Sequence, residues 1–263
     1  MQTQSSLAAS ADGVSWALLN ASPDIRSQLT VNRQMWPQEP RDSPVKCVML
    51  TNGDVDHIGG LLTLREKQPF KLFLTQDLHD ILLANPVFAA LDPALVDRVI
   101  CELGAWFDVL PGLSARLFAV PGKVPLYLEA GVPDTAKMGG QTVGAEMKSG
   151  GARLVYIPGC SKMTDGIRAV IDGADALFFD GTLFRDDEMI LEGLGSKTGL
   201  RMGHMPISGA GGSLEMLAGV TAKRKVYVHM NNTNPVWRPD SEERRIVERA
   251  GVEVGYDGME LLL

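Results

Sequence analysis

Apolar runs that stop at polar clusters constrain this chain most. Val45 to Leu50 ends in Asn52-x-Asp54-x-Asp56-His57, and Arg153 to Ile157 ends in Pro158-Gly159-Cys160. Ala176 to Phe179 ends in Asp180, and Lys225 to Val228 ends in His229, followed by Asn231, Asn232 and Asn234. Short apolar runs bounded by such signals read as buried strands. In layered α/β folds, ligands gather where strand ends meet one edge of a sheet. The pattern therefore predicts that residues far apart in sequence share one rim.

The intervening segments set the fold class. Runs at Ser5 to Ser10 and Ser15 to Leu19 flank Ala11-Asp12-Gly13 and predict an opening hairpin. Ser22-Pro23-Asp24 predicts a helix to Leu29, with Ser22 as cap and Pro23 in first position. Helical spacing is expected over Leu61 to Lys67, Asp77 to Ala84, Asp92 to Ile100, Leu214 to Leu217 and Ser241 to Ala250. Further strands are expected at Lys71 to Thr75, Ala115 to Val120, Val252 to Val254 and Met259 to Leu263. Ser149-Gly150-Gly151 turns Thr142 to Lys148 onto Arg153 to Ile157. Hairpins mixed with strand–helix alternation predict an α/β (α+β) protein, layered as an αββα sandwich in one domain over 1–263.

The 263 residues are 45% apolar and 22% charged, which allows a sizeable core and excludes disorder as the default. A net charge of −7 disfavours nucleic acid as a partner. Cys47, Cys101 and Cys160 form no C-x-x-C pair and no closed disulfide framework, so a reducing compartment is expected. The first residues show no basic region followed by an apolar run, and no stretch of 18 apolar residues suits a bilayer. A cytoplasmic protein without a membrane partner is the expectation.

Asp56, His57 and His229 would supply two imidazoles and one carboxylate. Such donors bind iron, manganese or zinc, and with open positions they suit a non-haem Fe(II) centre that activates O₂. Alone, Asp56-His57 reads as a polar loop capping a helix, and His229 as a satisfied strand-end histidine; the metal interpretation rests on their combination. His204, before the glycine-rich Ser208 to Gly212, is a candidate acid–base group or ligand, or part of a surface loop. Asp180 is a candidate ligand or a partner that orients a ligating histidine, and otherwise a turn-former. Cys160 is a candidate ligand or a buried thiol. Asn231 to Pro235 offers amides for a carboxylate, or plain turn chemistry. His79 reads as a solvated helix residue. Gly193 to Thr198 fails as a phosphate loop because Ser196 replaces the glycine before Lys197.

The Asn52 to Gly60 segment resembles the H-x-H-x-D-H-x-x-G signature of the metallo-β-lactamase superfamily. Asp56, His57 and Gly60 match, while Asn52 and Asp54 stand where the first two histidines would be. Cys160 stands where a bridging aspartate is usual, and Gly203-His204 and His229 follow in the superfamily's order. These losses argue against a two-zinc hydrolase and leave one metal position nearly intact. The resemblance implies two mixed sheets flanked by helices.

More closely, TQSSLAAS, NASPDIRSQL, DHIGGLLTLRE, FFDGTLFRDDEM, GHMPISG, VHMNNTNP and GVEVGYDGMEL resemble the coenzyme PQQ synthesis protein B family. That family usually begins with a glycine-rich strand and a zinc-binding cysteine cluster, which this sequence lacks. The resemblance implies a role in making pyrroloquinoline quinone (PQQ), by iron- and O₂-dependent hydroxylation of the tyrosine ring in a cross-linked Glu–Tyr substrate. It implies Asp56, His57 and His229 as metal ligands for Fe²⁺, with Zn²⁺ the alternative. Asp54, Asp180 and His204 would act in the outer shell or in acid–base chemistry, and Arg201 and Asn232 would orient substrate carboxylates. Other PQQ-pathway proteins and a second copy of the chain, as a homodimer, are the expected protein partners. A soluble carrier of PQQ or its precursor, a zinc hydrolase and an inactive scaffold are the rival expectations.

Overall fold

The structure is a computed structural model that describes residues 2–40, 42–65 and 67–263. Its first sheet has five strands: β1 (Leu7–Ala9), β2 (Trp16–Leu19), β3 (Val45–Met49), β4 (Phe70–Leu74) and β5 (Val96–Ile100), in that spatial order. β1 and β2 form the expected hairpin, and β2 to β5 run parallel. Between them lie α1 (Ile25–Val31), α2 (Val55–Ile58) and α3 (Gln76–Ala84).

The second sheet has seven strands: β6 (Phe107–Leu110), β7 (Leu113–Ala119), β8 (Val143–Ser149), β9 (Ala152–Ile157), β10 (Ala176–Asp180), β11 (Arg224–Val228) and β12 (Glu253–Val254). β6 to β9 are antiparallel neighbours, and β9 to β12 are parallel. Its helices are α4 (Asp165–Ile171), α5 (Glu188–Leu191), α6 (Gly199–Met202), α7 (Ser213–Leu217) and α8 (Glu242–Arg249). Thr164, Thr198 and Ser241 cap α4, α6 and α8 by accepting backbone N–H bonds.

Period-two alternation sorts the strand residues into layers. Leu19, Cys47, Met49 and Phe73 face Leu117, Ala145, Tyr156, Phe178 and Val226 between the sheets. Their chain neighbours Leu18, Val48, Leu50 and Leu72 pack under Ile25, Leu78 and Leu82 of α1 and α3. Likewise Leu177, Phe179 and Tyr227 pack under Ile167, Ile171, Leu217 and Val247 of α4, α7 and α8. With both faces covered, these strands are mostly apolar, with the charged Lys46, Lys71, Arg224 and Lys225 near their starts, which is why they read as runs. The result is the expected αββα sandwich of two mixed sheets. Among the described residues, no helix is long and apolar enough to cross a membrane.

Four local expectations are corrected. The helix expected from Ser22 starts at Ile25, and the Ser22 hydroxyl donates to Gln28 rather than capping. The helix expected over Leu61 to Lys67 is a 3-10 turn over Gly59–Leu62, while Val55–Ile58 is α-helical; Glu66 lies outside the described residues. Asp92 to Ile100 is not helical: Asp92 opens a turn, and the β-branched Val96, Val99 and Ile100 form β5 along β4. Met259 to Leu263 makes no strand; Met259 and Leu261 pack on the inter-sheet core without a ladder partner.

Gly60 locks the turn after α2 to the chain leaving β2. A Cβ there would overlap the Ser22 carbonyl oxygen and stand 2.8 Å from that of Ala21. Gly60→Ala is expected to destabilise by about 2 kcal/mol or more through backbone overlap. Gly151→Ala, with open space around its Cβ, is expected to stay within about 0.5 kcal/mol. Urea midpoints of the two variants check the contrast.

Candidate metal centre

The short helix α2 carries Asp56 and His57. Its position is fixed by two backbone bonds to the chain after β2. The Ala21 N–H donates to the His57 carbonyl at 2.8 Å, and the Gly60 N–H donates to the Ala21 carbonyl at 2.9 Å. His57 is thereby buried, while the Asp56 side chain stays about one-third exposed at 32%. His229 follows β11 with φ at 58°, a left-handed conformation uncommon outside glycine. Such backbone persists only where its surroundings fix it, and it clusters at functional sites.

These three residues converge. Asp56 Oδ2 lies 2.9 Å from His229 Nε2 and 3.8 Å from His57 Nε2. One donor atom from each lies within 4.8 Å of the others. Both ring nitrogens of His57 are buried and have no hydrogen-bond partner among the described residues. A buried imidazole without partners is costly. Burial, opposed by Asp56, depresses the His57 pKa to about 4, so the ring is neutral near pH 7 and can offer a lone pair. Burial also opposes ionisation of Asp56, but the adjacent His57 and the His229 hydrogen bond outweigh it and hold the carboxyl well below its usual range. Burial lowers the His229 pKa, and the bond and charge of Asp56 reverse this to a net rise.

The hydrogen bonds assign a tautomer. Thr182 Oγ1 lies 2.7 Å from Asp180 Oδ1, which accepts its proton, and 2.9 Å from His229 Nδ1. His229 Nδ1 must then carry a hydrogen and donate to Thr182. Its Nε2 is left facing a carboxylate oxygen at 2.9 Å. Two lone pairs at that distance repel unless a positive charge lies between them, either a proton or a metal ion. Two neutral imidazole nitrogens and one ionised carboxylate are suitable donors for Fe²⁺ or Zn²⁺. The residues therefore fit a divalent ion.

A second group shares His229 and adds Asp180 and His204. Its carboxylate is already saturated. Asp180 Oδ2 accepts from the Cys160 N–H at 2.9 Å and faces His204 Nδ1 at 2.7 Å. Oδ1 accepts from the Thr182 N–H at 3.0 Å and from its hydroxyl. Burial works against the charge, and His204, His229 and these bonds keep Asp180 ionised below its usual range. The His204 and His229 rings stack with centroids 5.3 Å apart. Asp180 thus orients His204 and, through Thr182, His229. This leaves the first group as the better place for an ion.

Other sequence candidates lie around the centre rather than in it. Asp54 precedes α2, and its carboxylate accepts the Leu126 N–H at 3.3 Å instead of joining Asp56. Burial raises its pKa against the opposing charge of Lys123. The Cys160 thiol donates to the Lys162 carbonyl at 3.3 Å and burial pushes its pKa up to about 12, so only its backbone serves the site. Asn232 is exposed and lines the same cavity as Asp56, His204 and His229, a space of about 930 Å³. Arg201 contacts Glu129 at 3.1 Å, as does Lys123 at 2.9 Å, with Lys197 at 3.5 Å. Burial opposes the charge of Glu129, but these three cations hold its pKa at about 2. Thr182, Lys123 and Glu129 are absent from the sequence-derived site. Of these, only Thr182 had a local signal, standing two residues beyond a strand-end aspartate.

A family model described as a Beta-lactamase superfamily domain matches residues 15–230. Coenzyme PQQ synthesis protein B of Rhizobium meliloti (strain 1021) is 58% identical over 262 residues, covering 100% of this chain and 86% of that protein. The protein of that name from Methylobacterium radiotolerans is 54% identical, covering 100% of this chain and 88% of its own length. The crystal structure of Zn²⁺-bound PqqB from Methylobacterium extorquens superposes with a TM-score of 0.97 at 51% identity, over 99% of this chain and 88% of that one. A diphosphatase of the PhnP family, at 18% identity and a TM-score of 0.66 over 98% of this chain and 83% of its own, shares the fold.

Two outcomes are expected. Zn²⁺ titrated into metal-free protein should bind with affinity lowered at least about 100-fold in His57→Ala and in His229→Ala, beyond the effect typical of outer-shell partners. Cys160→Ala should change it less than about threefold, since its thiol points elsewhere. Glu129 has a folded pKa near 2, against an ordinary value of 4.5. Its pairing therefore contributes stability above pH 4.5 that is lost as pH falls towards 2. The stability difference between wild type and Glu129→Gln should shrink over that window in urea unfolding followed by circular dichroism.

Proposed function

This chain belongs to the coenzyme PQQ synthesis protein B family of the metallo-β-lactamase superfamily, and on that premise we propose that it is a non-haem iron-dependent hydroxylase. Involvement in PQQ biosynthesis follows from the family. The finer assignment is hydroxylation of the tyrosine ring in a cross-linked Glu–Tyr precursor in the cytoplasm, with O₂ as co-substrate. One oxygen atom enters the ring and the other leaves as water, reduced by two electrons and two protons from an external small-molecule reductant.

One observation carries the proposal. Two imidazoles and one carboxylate converge, with His57 lacking any other partner among the described residues, beside an Asp180 whose oxygens are all engaged. That supports one ion with open positions rather than a bridged pair. Asp56, His57 and His229 would hold the ion, and a bound ferrous ion would supply the redox chemistry that O₂ requires. Asp180 accepts from His204 Nδ1, which leaves His204 Nε2 to take or return the phenol proton. Thr182 keeps His229 Nε2 directed at the ion's position. Asp54 holds Leu126 on the rim. Arg201 and Asn232 orient the carboxylates of the precursor, with the cavity between the strand ends and the terminal segments admitting it.

The test is O₂ uptake by iron-loaded protein, supplied with a small-molecule two-electron reductant, on addition of the cross-linked Glu–Tyr compound. The expected result is consumption coupled to a product heavier by one oxygen atom, abolished in His57→Ala. His204→Gln should lower kcat by about 100-fold while leaving metal content intact. Cleaved product with zinc alone would replace this proposal with hydrolysis. Tight binding without oxygen consumption would replace it with a carrier.

A further inference from the structure

Three cations surround one carboxylate beside the proposed metal centre. Lys123 and Glu129 are both nearly buried, with side chains 10% and 7% exposed. Arg201 and Lys197 are more open to solvent, 27% and 39% exposed. The cluster carries a surplus of positive charge in a chain whose net charge is −7. Its hydrogen bonding is incomplete as well. Arg201 Nη1 is buried with no acceptor among the described residues. Lys123 meets Glu129 Oε1 as an ion pair at 2.9 Å, yet among the described residues that oxygen receives no well-directed donor. A guanidinium can bind a carboxylate through two parallel bonds, and here only Nη2 is used.

The cluster adjoins the centre. Lys123 packs against Gly203, the neighbour of His204. Asp54 is close enough to both Lys123 and His204 to feel each charge. Arg201 sits on α6, three residues before His204, its backbone N–H held by the Thr198 cap. Glu129 comes from a different element, the irregular segment 121–141. That segment is tied to the rim by the Tyr127 hydroxyl, which donates to the Gly53 carbonyl at 2.8 Å, and by the Leu126 N–H bond to Asp54. Leu126, Tyr127 and Leu128 remain 41–59% exposed, so few apolar contacts hold this turn down.

We infer that Lys123, Arg201 and Lys197 form a carboxylate-binding pocket, and that Glu129 is an internal carboxylate which the substrate's carboxylate displaces. This inference rests on the reading of a carboxylate-rich peptide-derived substrate, and it adds the recognition site. When the substrate enters, Glu129 swings out with its turn, and Arg201 gains the second acceptor it lacks. Glu129 thus sets specificity: a ligand without a carboxylate leaves the pair closed.

The test uses binding rather than turnover, so its failure is separate from failure of the hydroxylase proposal. The glutamyl-tyrosine dipeptide is titrated calorimetrically into the zinc-loaded protein at low ionic strength, with tyramine as the ligand lacking carboxylates. Lys123→Met and Arg201→Met should each weaken dipeptide binding about tenfold or more, and exposed Lys197→Met about threefold. Glu129→Gln should tighten it by about three- to tenfold, because the competitor is gone. Tyramine binding should be unchanged in all four. Lys197→Met and Glu129→Gln serve as tests should a buried-cation variant fail to fold. Wild-type affinity in the cation variants would overturn the inference. So would Glu129→Gln weakening the dipeptide as much as Arg201→Met, or no dipeptide binding to wild type and Glu129→Gln alike.

Discussion

A carboxylate oxygen of Asp56 and a ring nitrogen of His229 stand 2.9 Å apart, and a positive charge must lie between them. The Thr182 hydroxyl, bonded to Asp180, fixes the other His229 nitrogen as a donor. His57 approaches the same point with both nitrogens otherwise unpartnered among the described residues. A proton can satisfy the first pair, but it leaves His57 orphaned. A divalent ion satisfies all three. Desolvation and hydrogen-bond supply therefore point the same way.

The sandwich exists around that contact as a positioning device. β3, β10 and β11 end on one edge, which brings residues 173 positions apart into contact. The core on either side of both sheets makes those ends rigid, and the left-handed turn at His229 and the backbone bonds between Ala21, His57 and Gly60 refine them. The candidate site residues stand at the strand ends and just beyond them. Asp180 is both the last residue of β10 and the acceptor on which Cys160, Thr182 and His204 converge. One buried carboxylate thus orients two histidines, one in each candidate role.

Much of this was legible in the sequence, and the remainder was hidden for identifiable reasons. Strands covered on both faces are apolar towards their C-terminal ends, so the polar residues at those ends and just beyond, and with them Asp56, His57, Asp180 and His229, stand out. Asp54 has the same appearance in sequence as Asp56, yet α2 begins between them at Val55, and one carboxylate turns to Leu126 while the other faces His229. Cys160 occupies a ligand-like position, but its contribution is a backbone N–H, which no residue type announces. Glu129 meets Arg201 across 72 residues through an irregular segment with no periodicity to read. Asp92 to Ile100 misled because helical spacing and β-branched content coexist there, and the free edge of β4 decided in favour of a strand.

The central claim is that Asp56, His57 and His229 hold one ion, with Asp180 and His204 outside its ligand shell. X-ray absorption at the metal edge of the loaded protein tests it most directly. The account predicts two imidazole nitrogens and a carboxylate oxygen at about 2.0–2.2 Å, remaining positions filled by light atoms from solvent, and no metal–metal vector. A sulfur scatterer at about 2.3 Å, marking Cys160, or a third imidazole, marking His204, would contradict it.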